Sequence, residues 1–269
     1  MLKLYPLYSG SSGNMYLIRS PKATVIVDIG VSFKSLTESL DTLGIPLSEI
    51  DALFITHEHI DHTKGVATLI NKTDIPIYTS NGTKAYLLDK HKDKLKKEPV
   101  FVSVKQNNEF YLKDIKVTPF RISHDAKEPL GFTFANEESI LTIATDLGYV
   151  SDDVYKQLSD STFTVLECNY DRNLLMYGPY SYPLKCRIQS DIGHLSNDDT
   201  SDTILCLAKE GKRNFLLGHI SENNNEPEQA LFAVNQTLKD NGFDLNEFNI
   251  HCATRDVSYE EYILWLILR

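Results

Sequence analysis

The sequence is poor in cysteine, in long apolar runs and in net positive charge, and each shortage excludes a class of protein. Its four cysteines stand far apart without a C-x-x-C pair, which argues against a zinc ribbon or a disulfide framework; they are Cys168, Cys186, Cys206 and Cys252. Free thiols in a reducing cytoplasm are therefore expected. The longest strongly apolar stretch, 262–268, is far shorter than the roughly 20 residues of a membrane-spanning helix, and no signal peptide is expected.

The charge balance disfavours binding to nucleic acid or to an anionic membrane through the overall field of the protein. The chain carries 27 Lys and Arg against 37 Asp and Glu, a formal net charge of −10, which still leaves room for a local basic groove. Hydrophobic residues make up 42% of the 269 positions and charged residues 24%, values typical of a folded chain. Because no repeat or linker-like segment is visible, residues 1–269 are expected to form a single domain.

Hydrophobic periodicity alternates between strands and helices along the chain. The predicted strands are 24–27, 51–56, 115–122, 139–144, 163–166, 214–217 and 248–250. The predicted helices are a segment around Leu36, Leu40 and Leu43 that ends at Gly44, followed by 66–70, 83–96, 197–209 and 227–240. This order predicts an α/β layered protein with two sheets or one mixed sheet.

The densest group of metal-ligating residues directly follows the predicted strand 51–56 and reads His57-Glu58-His59-Ile60-Asp61-His62. His57 and His59 are two positions apart, so an extended backbone directs both side chains to one side. Asp61 and His62 are adjacent and can serve a second centre. Imidazole nitrogens and carboxylate oxygens suit zinc, iron or manganese. The alternative is a solvated polar loop, but three of the eight histidines of the chain fall within this short run.

Three further candidate ligands each follow another predicted strand: His124, Asp146 and His219. Ligands collect at strand ends in α/β sheets, so these residues and the histidine-rich run are expected to meet in one cleft. Taken singly, each is more typical of a helix cap or a turn than of a metal ligand. Taken together they supply seven ligands, enough for two metal ions that share one carboxylate.

The pattern H-x-H-x-D-H followed by a distant His, an Asp and a last His resembles the metallo-β-lactamase superfamily. The resemblance implies an α/β fold, the four-layer αββα metallo-β-lactamase sandwich, with two divalent ions (zinc, manganese or iron) at one edge of its sheets. It distributes the ligands as follows: His57, His59 and His124 on the first ion, Asp61, His62 and His219 on the second, and Asp146 between them. Asp28 and Gly30 match a strand–turn element of that fold and are expected to brace the metal edge.

Further segments resemble the YycJ/WalJ-like exonuclease branch of this superfamily: 9–14, 166–171, 178–180, 193–197 and 218–221. The branch implies 5′-to-3′ exonuclease activity on double-stranded DNA, with DNA as the partner. One departure is visible, since that branch reads Glu-x-Asn-His-Asp where this chain has Tyr170 in place of the His. Tyr170 is therefore given no metal or catalytic role.

Two segments are candidates for contact with a phosphate. The turn 9–14 is rich in glycine and hydroxyl residues, so Ser11, Ser12 and Asn14 are candidate anion ligands, although an ordinary hairpin turn between two strands explains the same pattern. His194 is a candidate proton donor to the leaving oxygen by analogy with related nucleases, and Asp61 a candidate acceptor of the water proton. The alternative is that His194 merely precedes a helix capped by Ser196, itself a candidate substrate-binding residue.

Basic residues flank the tyrosine-rich segment 178–183, and they are Arg172, Lys185 and Arg187. Cations interleaved with aromatic side chains suit phosphate contacts and base stacking, but a surface loop with a packed aromatic edge explains them equally well. In the lysine-rich segment 84–97, which is typical of a solvated helix face, His91 is expected at the surface. His251 is interpreted as structural. The C-terminal stretch 259–269 fits an edge strand, a docked helix or a partner surface.

These observations predict a metal-dependent phosphodiesterase, specifically a 5′-to-3′ exodeoxyribonuclease acting on double-stranded DNA. The first alternative is a hydrolase of small thioesters, esters or phosphodiesters on the same fold, which would need no open basic groove. The second is a metal-bearing regulatory or binding module, which has no need of seven ligands. The sequence does not indicate the native metal or the oligomeric state.

Overall fold

The computed structural model of the chain describes residues 1–264. Its strands, in chain order, are β1 (Leu2–Tyr8), β2 (Met15–Arg19), β3 (Thr24–Val27), β4 (Ala52–Phe54), β5 (Ile77–Thr79), β6 (Phe101–Ser103), β7 (Phe110–Leu112), β8 (Ile115–Arg121), β9 (Leu130–Ala135), β10 (Ile140–Ala144), β11 (Phe163–Glu167), β12 (Asn214–Gly218), β13 (Asn249–Cys252) and β14 (Tyr262–Leu264).

The helices lie between and after these strands. In chain order they are α1 (Phe33–Thr42), α2 (Ile60–Thr63), α3 (Val66–Lys72), α4 (Asn81–His91), α5 (Asp152–Asp160), α6 (Arg172–Tyr177), α7 (Tyr182–Ile188), α8 (Asn197–Lys209) and α9 (Pro227–Asp240). None of the helices in the described part of the chain is long and apolar enough to cross a membrane.

The strands form two mixed sheets with the same internal plan. The first has the order β14-β1-β2-β3-β4-β5-β6, and the second has the order β13-β12-β11-β10-β9-β8-β7. In the first sheet β3 to β6 run parallel, and in the second β10 to β13 run parallel, while the remaining neighbours are antiparallel. Each sheet therefore presents several carboxyl strand ends at one edge, where loops of the two sheets can meet.

Three hydrophobic layers hold the two sheets and their helices together. Between the sheets, Phe54 packs edge-on against Phe132 and Phe134 with ring centroids 5.3 and 5.2 Å apart. Helices α1, α3 and α4 cover the outer face of the first sheet, and α5, α8 and α9 cover the outer face of the second. Each fully buried side chain of this size stabilises the fold by about 1.5–3 kcal/mol. The order helix, sheet, sheet, helix confirms the predicted αββα sandwich.

Most predicted elements are confirmed within a residue or two. Helices α8 and α9 have the predicted bounds, α1 covers the leucine repeat before Gly44, and α3 extends the predicted 66–70. The last predicted strand, 248–250, is shifted to Asn249–Cys252. Periodicity missed the six-residue strand β9 and the short strands β5, β6 and β7, the last three because three residues are too few to show a repeat.

Two predictions about exposure and boundaries are wrong. The helix predicted over 83–96 is α4, which begins at Asn81 and ends at His91. His91 is only 7% exposed rather than at the surface. Leu87 lies four residues before it, so both side chains share the helix face that packs on the first sheet. At the C-terminus β14 is an edge strand paired with β1, and residues 265–269 of the 259–269 stretch lie outside the described residues.

Candidate metal centre

The predicted ligands converge at one edge of the two sheets, where strands of both sheets end. Asp28 follows β3 and His57 lies three residues after β4. From the second sheet, His124 lies three residues after β8, while Asp146 and His219 follow β10 and β12. The four-residue helix α2 then carries Asp61 and His62 back into the same cleft.

Three of the residues at this edge have left-handed backbones that non-glycine residues rarely adopt. The φ angles are +59° at Asp28, +62° at Asp146 and +53° at His219. Such a conformation costs on the order of 1–3 kcal/mol at each residue and persists only where the surrounding structure compensates for it. The concentration of strain at these strand ends indicates that function, rather than stability, selects the side-chain directions.

The first ligand group contains His57, His59 and His124, whose ring nitrogens all lie within 4.8 Å of one another. His59 Nδ1 is 3.2 Å from His124 Nε2. His124 donates through Nδ1 to the Gly193 carbonyl at 3.1 Å, so its Nε2 is free to coordinate. Burial lowers the pKa of His57 well below its ordinary value, which keeps the imidazole neutral as coordination requires.

The second ligand group contains Asp61, His62, Asp146 and His219, again within 4.8 Å. His62 Nε2 lies 3.4 Å from Asp61 Oδ2 and 3.3 Å from Asp146 Oδ2. His219 Nε2 lies 3.5 Å from Asp61 Oδ2. The first group thus brings three imidazoles together, and the second brings two imidazoles and two carboxylates together, at distances that a divalent ion could bridge.

Buried polar atoms without a hydrogen bond support the fit to metal. Within the described residues, His57 Nε2, Asp146 Oδ2 and His219 Nε2 are buried and have no hydrogen-bond partner. An unsatisfied buried polar atom costs about 1–3 kcal/mol. Divalent cations held by the two ligand groups would together satisfy all three atoms, and imidazole plus carboxylate is a donor set that zinc, manganese and iron accept.

The electrostatics of the second group favour a cation. Burial opposes protonation of His62, but the carboxylates of Asp146, Asp28 and Asp61 outweigh it and raise the pKa of His62 well above its ordinary value. Burial likewise opposes protonation of His219, yet its acidic neighbours, Asp146 foremost, raise the pKa of His219 to about 10. The carboxylates that raise these two pKa values favour a divalent cation for the same electrostatic reason, and metal binding requires the histidine nitrogens to be deprotonated.

A buried network orients the ligands from behind. His62 Nδ1 donates to Asp28 Oδ2 at 2.7 Å, which directs Nε2 into the cleft. Thr56 donates to the same Asp28 carboxylate through its backbone N–H and its hydroxyl, each at 2.9 Å. Outer partners of this kind fix the ring orientation of metal-binding histidines and raise their basicity. The predicted bracing role of Asp28 rests on these contacts.

Gly30 allows the histidine-rich turn to approach the N-terminal strands. A Cβ at Gly30 would lie 1.6 Å from the Asp61 carbonyl oxygen, so no other residue fits there. The Asn14 backbone N–H donates to this same Asp61 oxygen at 2.8 Å, and Gly30 N–H donates to the Asn14 carbonyl at 2.9 Å. The position of Asp61 therefore depends on a three-way backbone contact.

Glu167 is a site residue to which the sequence interpretation assigned no role. It ends β11 and is completely buried. His194 and His219 both direct Nδ1 at its Oε1 atom, each at 2.7 Å, and the backbone N–H of Leu147 donates to Oε2 at 2.7 Å. The signal was available, because Glu167 directly follows the predicted strand 163–166, which lies between the predicted strands that lead to Asp146 and His219.

Of the predicted phosphate-binding residues near the N-terminus, only Asn14 reaches the metal centre. Its Nδ2 lies 3.1 Å from His62 Nε2. Ser11 and Ser12 are exposed at the tip of the turn. Ser196 is buried in a capping box, where its hydroxyl and the Asp199 carboxylate cap α8. The helix cap of the alternative interpretation is therefore present, but the nearby His194 lies beside His124 and His219 of the two ligand groups.

The three predicted basic residues are all engaged within the protein. Arg172 pairs with Asp198 and Asp199, both at 2.9 Å. Lys185 donates to the carbonyls of Met176 and Gly178 at 2.6 and 2.9 Å and so closes the loop between α6 and α7. Arg187 alone points toward the metal centre, where it pairs with Asp125. Tyr170 is buried against Leu175 and Ile188, a packing role.

Comparisons with known proteins agree with this geometry. A family model described as a β-lactamase superfamily domain matches residues 24–220. Exodeoxyribonuclease YycJ of Bacillus anthracis is 33% identical over 254 residues, which cover 91% of this chain and 92% of the relative. Exodeoxyribonuclease WalJ of Streptococcus pneumoniae (strain D39) is 34% identical over 232 residues, 86% of each chain.

Solved structures show the same fold at lower sequence identity. The metallo-β-lactamase fold protein YhfI from Bacillus subtilis superposes with a TM-score of 0.71 at 14% identity, covering 97% of this chain and 98% of that one. Zn²⁺-bound PqqB from Methylobacterium extorquens gives a TM-score of 0.73 at 14% identity, covering 98% and 100%. From the family match, the relatives and the ligand groups together, the chain belongs to the metallo-β-lactamase superfamily, in the branch of the YycJ and WalJ proteins, and is a metal-dependent hydrolase.

Proposed function

We propose that this protein is a nuclease that uses two divalent metal ions, and that it degrades double-stranded DNA from the 5′ end. The observation that carries the proposal is the convergence of seven candidate ligands and His194 in one cleft. Two relatives that cover most of the chain carry the name exodeoxyribonuclease, which supports a nucleic-acid substrate. We further propose that residues 1–269 act as a single domain, since the ligands come from both sheets.

The proposed ligand assignment follows the two groups in the cleft. His57, His59 and His124 would hold one ion, Asp61, His62 and His219 the other, and Asp146 both. When bound, zinc, manganese or iron ions supply Lewis-acid stabilisation of a phosphodiester and acidify water. Asp61, at the mouth of the cleft with its side chain 19% exposed, is the proposed acceptor of the water proton.

His194 is the proposed proton donor to the leaving oxygen. Its ring lies between the two ligand groups, with centroids 5.1 Å from His124 and 5.3 Å from His219. The bond from Nδ1 to the buried Glu167 carboxylate leaves Nε2 as the atom that can exchange a proton with the substrate. The side chain of His194 is 16% exposed, so that atom can be reached from the cleft.

A second candidate function is hydrolysis of a small phosphodiester or ester. It is favoured by the internal engagement of Arg172 and Lys185, which leaves few free cations for a long DNA strand. The net charge of −10 points the same way. Substrate length therefore distinguishes the two functions.

The test is hydrolysis of a linear duplex labelled at either the 5′ or the 3′ end, with the metal content of the protein measured first. Manganese or zinc is added in one arm and a chelator in the other, with Asp61→Ala as the inactive control. Stepwise release of the 5′ label that chelator and Asp61→Ala abolish supports the exonuclease. Cleavage of bis(p-nitrophenyl) phosphate without cleavage of DNA, at full metal loading, would refute it in favour of the small-substrate hydrolase.

A further inference from the structure

Asp125 and Arg187 form a two-pronged ion pair beside the metal centre. Arg187 donates through Nε to Asp125 Oδ2 at 2.5 Å and through Nη2 to Asp125 Oδ1 at 3.0 Å. Parallel bonds of this kind fix the plane of the guanidinium as well as its position. The pair differs from an ordinary surface ion pair because the Asp125 carboxylate is only 21% exposed.

The same carboxylate faces the first ligand group. Asp125 Oδ1 lies 3.5 Å from His124 Nε2 and 3.8 Å from His59 Nε2. Asp125 therefore links two candidate metal-binding histidines to the guanidinium of Arg187.

Backbone contacts hold both partners in place. The Asp125 N–H donates to the Ile192 carbonyl at 3.1 Å, and the adjacent His124 ring donates to Gly193. Arg187 lies in the last turn of α7, and the loop that follows turns so tightly that a Cβ at Gly193 would lie 2.1 Å from the Ile188 carbonyl oxygen. Neither side chain can move far without disturbing the His124 loop.

Arg187 keeps unused donors on its exposed side. A guanidinium has five N–H groups, and the bonds to Asp125 use two of them. The side chain is 48% exposed, and in the described part of the chain its remaining N–H groups make no hydrogen bond. A fork of free guanidinium donors next to a phosphodiester-cleaving centre matches the geometry of a phosphate group.

We propose that Asp125 is a positioning residue that holds Arg187 at the mouth of the metal centre, where Arg187 binds a backbone phosphate of the DNA strand next to the scissile one. The inference rests on the proposed nuclease function, and it adds Arg187 as the residue that positions the DNA strand. Asp125 itself touches neither the substrate nor the reacting atoms, and acts through Arg187.

The first measurement is binding of a short fluorescein-labelled DNA duplex in the presence of chelator, by anisotropy at several salt concentrations. Arg187→Ala is expected to weaken binding and to reduce the slope of log K against log salt by about one, the loss of one phosphate contact. Arg187→Lys and Asp125→Asn keep the positive charge and are expected to keep the slope. An unchanged slope in Arg187→Ala would overturn the proposed phosphate contact.

The second measurement is the turnover of DNA by the metal-loaded variants, together with their metal content. Asp125→Asn and Arg187→Lys are expected to lower kcat about tenfold or more without loss of metal, since a misplacement of about 1 Å can cost a hundredfold. The double variant Asp125→Asn/Arg187→Ala is expected to be no slower than Arg187→Ala, because Asp125 acts only through Arg187. Additive losses, or loss of metal in Asp125→Asn, would overturn the inference.

A matched control is Glu49→Gln, which breaks the Arg19–Glu49 pair of 3.2 Å at the opposite end of the first sheet. We expect DNA binding and turnover in this variant to equal those of the wild type. If the wild type neither binds nor cleaves DNA, the proposed function fails and the inference with it. If the wild type cleaves DNA and Asp125→Asn is equally fast, the nuclease stands and only the inference fails.

Discussion

His194 Nδ1 lies 2.7 Å from Oε1 of the fully buried Glu167, and this oxygen also accepts the hydrogen bond of His219. One carboxylate thus orients a residue of the proposed metal set and the proposed proton donor together. The two histidines differ in exposure, with 2% for the His219 side chain and 16% for that of His194. The structure therefore distinguishes a buried candidate ligand, His219, from a more accessible proposed proton donor, His194. The sequence alone does not show this difference in exposure.

Substitution of His194 is expected to slow catalysis without emptying the metal centre. His194→Ala removes the proposed proton donor but none of the seven candidate ligands, so kcat should fall by roughly a hundredfold to ten-thousandfold. The check is single-turnover cleavage of DNA together with metal analysis of the same preparation. Loss of metal from this variant would show that His194 is a ligand instead.

Substitution of Glu167 is expected to lower both the turnover and the affinity for metal. Glu167→Gln weakens the acceptor shared by His194 and His219, so turnover should fall and the affinity for metal should drop by about tenfold to a hundredfold. Competition with a chromogenic chelator measures the affinity. If the variant loses activity yet binds metal like the wild type, Glu167 orients His194 but does not contribute to metal affinity.

Loss of a proposed ligand is expected to abolish turnover while the sandwich stays folded. His59 and Asp61 lie at the surface of the cleft, with side chains 30% and 19% exposed, so His59→Ala and Asp61→Ala remove little packing. We expect near-wild-type circular dichroism, a lower metal content and no detectable cleavage. Full activity in either variant would contradict the ligand assignment.

The close contact at Gly30 predicts a large loss of stability. Gly30→Ala places a methyl group 1.6 Å from the Asp61 carbonyl oxygen, so the free energy of unfolding should fall by about 3 kcal/mol or more, with loss of metal. Gly44→Ala is the control, since Gly44 has a φ of +66° but open space around it. Its cost should be only about 1 kcal/mol. Equal losses in urea unfolding would show that the contact at Gly30 costs no more than the left-handed backbone at Gly44.

The four thiols are expected to react in two groups. All four cysteines are free, as predicted, with Cys186 and Cys206 exposed and Cys168 buried. Burial raises the pKa of Cys168 and raises that of Cys252 to about 12. A colorimetric disulfide reagent should therefore titrate two thiols rapidly in the native protein and the other two after unfolding. Rapid reaction of Cys168 would contradict its burial behind Asn197.

Several features of the fold and site follow from local sequence patterns that do not depend on tertiary contacts. Long amphipathic helices such as α8 and α9 repeat often enough to reveal their bounds, and capping residues mark their ends. The candidate ligands could be placed at one edge of the sheets because they follow β-branched or apolar runs that end there. The exposure of His91 could not, because it depends on how α4 lies on the sheet and not on the lysines around it.

The sequence by itself determined which side chains can bind metal and at which strand ends they stand, because residue type and periodicity are local properties. Only the tertiary structure decided which residues, distant in the sequence, form hydrogen bonds at the site. Asp28 meets His62 across 34 positions, Glu167 meets His219 across 52, and Arg187 meets Asp125 across 62. A hydrogen bond requires its two atoms to lie about 3 Å apart. The packing of the two sheets sets that distance, and the sequence of a strand does not show which distant residues it will meet.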